Sequence, residues 1–338
     1  MSDTKSPSDS EMIDSIRDLH KEGGHPLQTD DAALATRAVE EFINVVLSWL
    51  DNLIPGGVVW AAPRTGKTYG LKYFMRHMPR LTNLSIPMTF FSMPDEVLTR
   101  NMLLASILES LGYATPHSGN SAIKRKRIID KMVESVREMR EHRYLFFVDE
   151  AQWLRTEHYH TLMDLHNQLK SQRVRLIVIL VGQPELLERK RELRRNGLRQ
   201  ILGRFMAASY QFEGIADRTD FVRLCRALDE QSEWPEGSNI PFVQYFVPVA
   251  WAAGWRLQDS AAKIWDVMSA KRRQANLPTT GELPMQAIIA LLRWLLQTLH
   301  GRDSETLVLD DDTVAIAYDR VVAEQLENHF STETGDEE

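Results

Sequence analysis

The segment Ala61-Ala62-Pro63-Arg64-Thr65-Gly66-Lys67-Thr68 has the residue types and order of a polyphosphate-binding loop. In such a loop a small residue ends a strand, a glycine lets the backbone turn tightly, and successive N–H groups of the loop and the following helix converge on phosphate oxygens. Lys67 places a point charge beside the terminal phosphates, and the Thr68 hydroxyl is a ligand for Mg²⁺. The candidates for holding the phosphates are therefore Ala62, Pro63, Arg64, Thr65, Gly66, Lys67 and Thr68. Ala61 stands where the strict pattern has glycine, and a small side chain is what the strand end requires.

The second half of such a site is Tyr144-Leu145-Phe146-Phe147-Val148-Asp149-Glu150, an apolar run that ends abruptly in two carboxylates. Asp149 is the second metal candidate, orienting Mg²⁺ through water. Glu150 is placed to polarise the water that attacks a terminal phosphate. A further apolar run ends in Val181-Gly182-Gln183-Pro184, where the Gln183 side chain could sense the phosphate or hold the water. Downstream, Leu193 to Phe205 carries Arg194, Arg195, Arg199 and Arg204. An arginine projected into a neighbouring subunit's site stabilises charge that develops in phosphoryl transfer, and Arg204 is the first candidate, then Arg199. A solvated basic face is the competing reading. Arg256, in Gly254-Trp255-Arg256 at a helix start, is a candidate to reach back to the phosphates; a local salt bridge is its alternative.

Positioning these residues takes strands that end at one edge. Short apolar runs at Gly57–Ala61, Pro87–Met93, Tyr144–Val148 and Leu176–Val181, with a weaker one at Ala207–Phe212, alternate with helix-length stretches. Those stretches are Lys67–Met78, Asp95–Leu111, Ser121–Glu141 and Thr156–Lys170, with Asp95 as a plausible N-cap and Gly112 as a stop. Buried strands alternating with helices predict an α/β fold with a parallel five-stranded sheet flanked by helices, its site at the carboxyl ends of the strands. After about Gly214 the pattern turns helical, with Arg218–Gln231, Val243–Ala253, Leu257–Ala270 and Pro284–Leu299 forming a small helical lid. The expected organisation is a mobile segment over 1–30, the α/β domain over 31–215, the lid over 216–328 and an acidic tail over 329–338.

Bulk properties narrow the class. The 338 residues are 43% hydrophobic and 26% charged, which excludes collagen-like and wholly disordered chains. No apolar run approaches the roughly 18 residues of a membrane span, and the expectation is a cytoplasmic protein without membrane contact. Cys225 is the sole cysteine, so no intramolecular disulfide can form, and its spacing with Phe221 and Leu228 marks it as a core residue. A net charge of −7 argues against coating nucleic acid with the whole surface, yet allows a local basic strip. Lys124, Arg125, Lys126 and Arg127, with Arg100 on the preceding helix, are the nucleic-acid candidates; a solvated helix face is the other reading.

The AxxxxGKT loop, LFFVDEAQWL, VGQPEL and the arginine of LGRF together resemble AAA+ ATPases, over about Thr36 to Ala270. Within them they resemble the TnsC/TniB transposition regulators, which are related to ExeA-like ATPases. The resemblance implies ATP and Mg²⁺ as cofactors, with Lys67, Thr68, Asp149 and Glu150 at the nucleotide, Gln183 as first sensor, Arg204 as trans-acting finger and Arg256 as second sensor. Thr36 and Arg37 fall on the adenine side. It also implies slow, regulatory ATP hydrolysis by a homo-oligomer, a ring of six or seven subunits or a helical filament, on double-stranded DNA. The partners it implies are a transposase and a TniQ-like target selector, and the chain looks like the compact type from CRISPR-associated transposons. The alternative is an ExeA-like or STAND-like ATPase of secretion or defence that does not assemble on DNA.

Overall fold

The computed structural model describes residues 9–29, 31–32, 34–82 and 84–333. In chain order it begins with helices α1 (Asp9–Glu22), α2 (Pro26–Thr29) and α3 (Arg37–Asp51), then β1 (Gly56–Trp60), α4 (Lys67–Thr82) and β2 (Met88–Ser92). Next come α5 (Arg100–Ser110), α6 (Ser121–Glu138), β3 (Arg143–Asp149), a 3-10 turn at Ala151–Trp153, α7 (Thr156–Ser171) and β4 (Arg175–Gly182). Helices α8 (Glu185–Arg195) and α9 (Arg199–Phe205) lead to β5 (Ala208–Gln211). The remainder is helical: α10 (Arg218–Glu230), α11 (Phe242–Phe246), α12 (Pro248–Ala252), α13 (Leu257–Gln274), α14 (Met285–His300), α15 (Asp311–Val321) and α16 (Ala323–Glu333).

The chain divides into two compact units. A sheet unit comprises Glu41–Pro63 and Leu71–Phe212; a helical unit comprises the chain up to Glu40, Arg64–Gly70 and everything from Glu213. The lid is therefore not a purely C-terminal piece, because the chain before Glu40 belongs with it.

In the sheet unit all five strands run parallel in the order β2-β3-β4-β1-β5. Each strand must be buried on both faces, and β3 and β4 accordingly read as unbroken apolar runs. Against one face pack Leu103, Leu104, Ile107 and Leu108 of α5, Ile128 and Met132 of α6, and Leu162 and Leu165 of α7. Edge-to-face contacts link Phe42 of α3 to Phe74 of α4 and to Phe212, and Phe74 to Phe147 of β3. Helix α5 starts later than the apolar spacing predicts. Its N-cap is Thr99, whose hydroxyl accepts from Met102 N at 3.3 Å, and not Asp95; Val97, which precedes the helix, is 57% exposed. Helices α8 and α9 lie in the arginine-rich stretch, whose basic residues obscure the four apolar positions, Leu186, Leu193, Ile201 and Phe205, that anchor them.

In the helical unit the predicted helix Val243–Ala253 is two short helices, because Pro248 has no N–H to continue the ladder and instead starts α12. The sequence also passed over α15 and α16. Cys225 is fully buried on α10, and its thiol is pushed well up by desolvation. The expectation of a mobile leader does not hold from residue 9 onward: Ile16 of α1 and Leu27 of α2 are fully buried in the same core as Leu228, Leu291 and Leu295. A short apolar cluster in a polar stretch suffices when a partner surface exists to receive it. The rest of that expectation, and of the acidic tail beyond residue 333, falls on 1–8 and 334–338, outside the described residues.

His25 ties the leader down. It is fully buried, its Nδ1 accepts from Leu27 N at 3.1 Å, and its ring lies 4.5 Å from Phe242, 4.4 Å from Tyr245 and 4.8 Å from Phe246. Burial, with a smaller contribution from His20, pushes its imidazole down to about 3. The folded chain therefore binds no proton at His25 between that value and 6.5, whereas the unfolded chain does. Its contribution is fully present above pH 6.5 and is lost as the pH falls, by about 2 kcal/mol at pH 5. Replacing His25→Phe is expected to shrink the drop in Tm between about pH 7.5 and pH 5, measured by thermal melts. An unchanged drop would assign the acid sensitivity to other groups.

Candidate functional site

The carboxyl edge of the parallel sheet gathers the strand exits of β1, β3 and β4, and with them Ala61, Asp149, Glu150 and Gln183. At the exit of β1, Ala61 is buried and its N–H donates to Gly182 O at 3.2 Å, so the start of the loop is held against the end of β4. The loop continues through half-buried Ala62 and exposed Pro63 and Arg64, with Thr65 and Lys67 buried and Thr68 half-buried. Two left-handed backbone positions make the turn, Arg64 at φ 64° and Gly66 at φ 101°. The second is open only to glycine, and a side chain at Gly66 would also press on Met285, whose Cβ would stand 3.2 Å away. Gly70 N donates to Gly66 O at 2.9 Å, so helix α4 begins directly after the glycine and its first-turn N–H groups belong to Lys67, Thr68 and Tyr69.

At the exit of β3, Asp149 is 3% exposed and its Oδ1 accepts from Glu150 N at 3.0 Å. Glu150 adopts the left-handed conformation, φ 52° and ψ 35°, which is rare for a residue with a side chain. This kink turns the chain from strand into the 3-10 turn and brings Gln152 back over Glu150. Gln152 Nε2 donates to Glu150 Oε2 at 2.5 Å, and Gln183 Nε2 from the exit of β4 donates to the same oxygen at 3.4 Å. Gln152 Oε1 in turn accepts from Gln183 N at 3.2 Å. The structure thus joins Glu150 and Gln183, both named from the sequence, and adds Gln152, which was not. Its signal was present in the Asp149-Glu150-Ala151-Gln152 string, but only the kink at Glu150 shows that residue 152 returns to residue 150. On the far side of the two glutamines lies a cavity of about 490 Å³, also lined by Trp153, Arg155 and Arg189.

Arg204 lies elsewhere. It is in the last turn of α9, and a side chain on Gly56, the first residue of β1, would collide with the Arg204 carbonyl oxygen. Arg204 therefore sits beside the start of β1, level with Val178 of β4 and Phe146 of β3 and away from the strand exits that carry Asp149 and Glu150. Its Nη1 is buried without a hydrogen-bond partner among the described residues, and its charge helps push the half-buried His166 down, after desolvation. Arg199 is exposed. Others of the arginine run are engaged locally: Arg189 with Glu192, Arg191 with Glu188, and Lys190 with Ser209 Oγ at 2.7 Å.

In the helical unit Arg256 precedes α13 as a half-buried residue. Its Nη1 donates to Trp251 O at 2.9 Å and Trp255 O at 2.7 Å, and its guanidinium carbon lies 3.6 Å from the centroid of the Trp251 ring. Together with Met12, Leu19 and Ile240 it lines a cavity of about 910 Å³. Thr36 caps α3 by accepting from Val39 N at 3.2 Å, and Arg37 pairs with Glu213 and Asp220, both at 3.1 Å.

The basic strip is less exposed than its composition suggests. Lys124 is 2% exposed with Nζ donating to Asn101 O at 3.4 Å, which removes it from any accessible face. Arg100 and Arg125 share Asp164, and Lys126 pairs with Asp130 at 2.6 Å. Arg127 donates to Ser118 O at 2.8 Å and covers the Tyr113 ring. Exposed pairs of this kind are weak, on the order of 0–1 kcal/mol, and a phosphate could displace the carboxylate from Arg100, Arg125 or Lys126.

Residues 55–189 match the family model of the AAA domain. The matched segment runs from β1 into α8 and contains the loop, Asp149, Glu150, Gln152 and Gln183. Residues 55–189 thus carry an AAA-type P-loop domain, and the five-stranded parallel sheet flanked by helices is consistent with the AAA+ fold. Among solved structures, the chain is similar to the ORC1 protein of Aeropyrum pernix in complex with DNA, at 12% identity over 86% of this chain and 67% of that one, with a TM-score of 0.49. It is also similar to Cdc6p of Pyrobaculum aerophilum, at 14% identity over 89% and 90% of the two chains and a TM-score of 0.39. Domain III of the replication initiation protein DnaA of Thermotoga maritima matches at 13% identity over 88% and 98%, with a TM-score of 0.39. No curated protein matches the chain. No helix among the described residues is long and apolar enough to cross a membrane.

An AAA domain implies nucleotide binding, and the loop geometry makes Gly66 its most sensitive position. Replacing Gly66→Ala is expected to weaken binding of a fluorescent ATP analogue at least about tenfold, because φ 101° is closed to alanine. Wild-type affinity would mean that the loop bends differently when it binds.

Proposed function

We propose that this chain is an ATP-dependent regulator of DNA transposition, an ATPase that oligomerises on double-stranded DNA and links a target selector to a transposase. The observation that carries the oligomeric part is the placement of Arg204. Arg204 lies beside the start of β1 and not at the carboxyl exits that carry Asp149, Glu150 and Gln183, so a role in phosphoryl transfer would be played in a second copy. The transposition part rests on the sequence resemblance of the DEAQ and GQPEL segments to TnsC/TniB regulators.

In this reading Gly66, Lys67 and the first turn of α4 hold the β and γ phosphates of ATP, with Ala62, Pro63, Arg64 and Thr65 shaping the loop. Mg²⁺ fits the oxygen donors Thr68 and Asp149, a hydroxyl and a buried carboxylate of the kind this hard cation prefers, and would neutralise charge on the phosphates. Glu150 takes the proton of the attacking water, and Gln183 orients that water or senses the γ-phosphate. Arg256 is the candidate second sensor; in this structure its donors address its own helical unit, so that role requires it to leave Trp251. DNA contact falls to Arg100, Arg125, Lys126 and Arg127 and gives salt-sensitive affinity without sequence preference.

Two measurements test the proposal. Arg204→Ala should abolish ATP turnover, and mixing it with a Lys67→Ala chain should restore part of it, since one interface then has both an intact loop and an intact arginine. No recovery at any ratio would place Arg204 outside the reaction. Electron microscopy of the protein with double-stranded DNA is expected to show rings or filaments around the duplex only with a slowly hydrolysed ATP analogue. Nucleotide-dependent oligomers that ignore DNA would favour an ATPase of secretion or defence.

A further inference from the structure

We infer that Gln152 is a positioning residue for ATP hydrolysis, clamping Glu150 to the end of β4 so that one carboxylate oxygen is fixed and the other addresses the attacking water. The inference rests on the reading of Glu150 as the residue that takes the water's proton.

The geometry leaves the amide only one orientation. Its nitrogen faces a carboxylate oxygen at 2.5 Å and its oxygen faces the Gln183 N–H at 3.2 Å. Turning the amide over would set oxygen against oxygen and N–H against N–H, losing both bonds. Gln152 therefore bridges two strand exits, one carrying Glu150 and the other carrying Gln183. Gln183 Nε2 approaches the same Glu150 Oε2, at 3.4 Å, so both amides restrain a single oxygen. That leaves Oε1 as the oxygen that receives the proton. Holding a base within a fraction of an ångström of its productive place is worth large factors in rate, because the proton transfer and the attack must be aligned together.

Three features of the local fold exist around this bridge. The left-handed backbone at Glu150 is needed to return residue 152 over it. Gly182 leaves the space for it: a Cβ there would lie 2.5 Å from Gln152 Oε1, so any side chain at 182 expels the amide. The Gln183 carbonyl accepts from Leu186 N at 2.9 Å, so the bridge is continuous with the start of α8. A shift of α8 or of the β4 exit thus reaches Glu150 through one side chain.

A glutamine that merely closes the 3-10 turn would need only its acceptor; a clamp needs its donor. Gln152→Glu separates the two, since it keeps the shape and an oxygen for Gln183 N–H but presents no donor to Glu150. Gln152→Met removes both bonds at similar volume. ATP turnover of the full chain, affinity for a fluorescent ATP analogue and Tm would be measured for both variants, with Glu150→Gln as control. The expected result is a loss of kcat of about tenfold or more in both variants, with nucleotide affinity within about twofold of wild type and no rescue by Gln152→Glu. Wild-type kcat in either variant, recovery by Gln152→Glu alone, or a loss that follows nucleotide affinity would overturn the inference. If Gln152→Met melts early, Gln152→Glu alone decides. A Glu150→Gln chain that still turns over at the wild-type rate would instead overturn the reading of Glu150 itself.

Discussion

Parallel strands all end at the same edge of a sheet, and this constraint organises the sheet unit. Because β1 lies between β4 and β5 and β3 lies beyond β4, the exits of β1, β3 and β4 fall side by side. Three segments far apart in sequence, at Ala61, Asp149 and Gln183, are thereby brought to one line of residues. The same constraint sends Arg204 to the start of β1, since α9 must carry the chain back before β5 can run parallel to its neighbours. Separation of the arginine from the carboxylates is thus a consequence of strand direction and does not depend on any particular side-chain contact.

Within that frame the geometry at Glu150 is set by backbone strain and close packing together. A left-handed residue that is neither glycine nor asparagine costs on the order of 1 kcal/mol or more, and it persists here because the 3-10 turn and the bonds from Gln152 and Gln183 over-determine it. The absence of a side chain at Gly182 is part of the same arrangement. The Gly182 carbonyl also accepts from Ala61 N, so the β1 exit is tied to the same strand end.

The helical unit follows different physics. Its core is built from α10, α13, α14 and α15, with the leader helices α1 and α2 docked through Ile16, Leu27 and His25. Asp229 of α10 accepts from Leu257 N at 3.2 Å and Gln258 N at 2.8 Å at the start of α13. Desolvation outweighs those two bonds and pushes its carboxyl up to about 6. Two buried titratable groups, Asp229 and His25, thus respond to acid in opposite senses. Arg272 is a further buried polar group, with its guanidinium carbon 5.4 Å from the Phe330 ring centroid and its Nε without a hydrogen-bond partner among the described residues.

The sequence by itself determined the parallel α/β class, the five strands to within a residue or two, and the tight turn before Lys67 and Thr68 that joins β1 to α4, because these rest on local period and on contiguous residue types. It also marked Asp149, Glu150 and Gln183, since an apolar run that stops at a polar residue is a local signal. What it could not determine depends on contacts between distant residues. The burial of Lys124, the pairing of Arg100 and Arg125 with Asp164, the docking of α1 onto the helical core and the bridge made by Gln152 all require knowing which surfaces meet. A charge run looks solvated and a polar leader looks mobile when each is considered alone. Tertiary structure decides otherwise because a buried partner, once present, satisfies the lysine's donors or covers the apolar stripe at little cost, and no pattern along the chain records where that partner comes from.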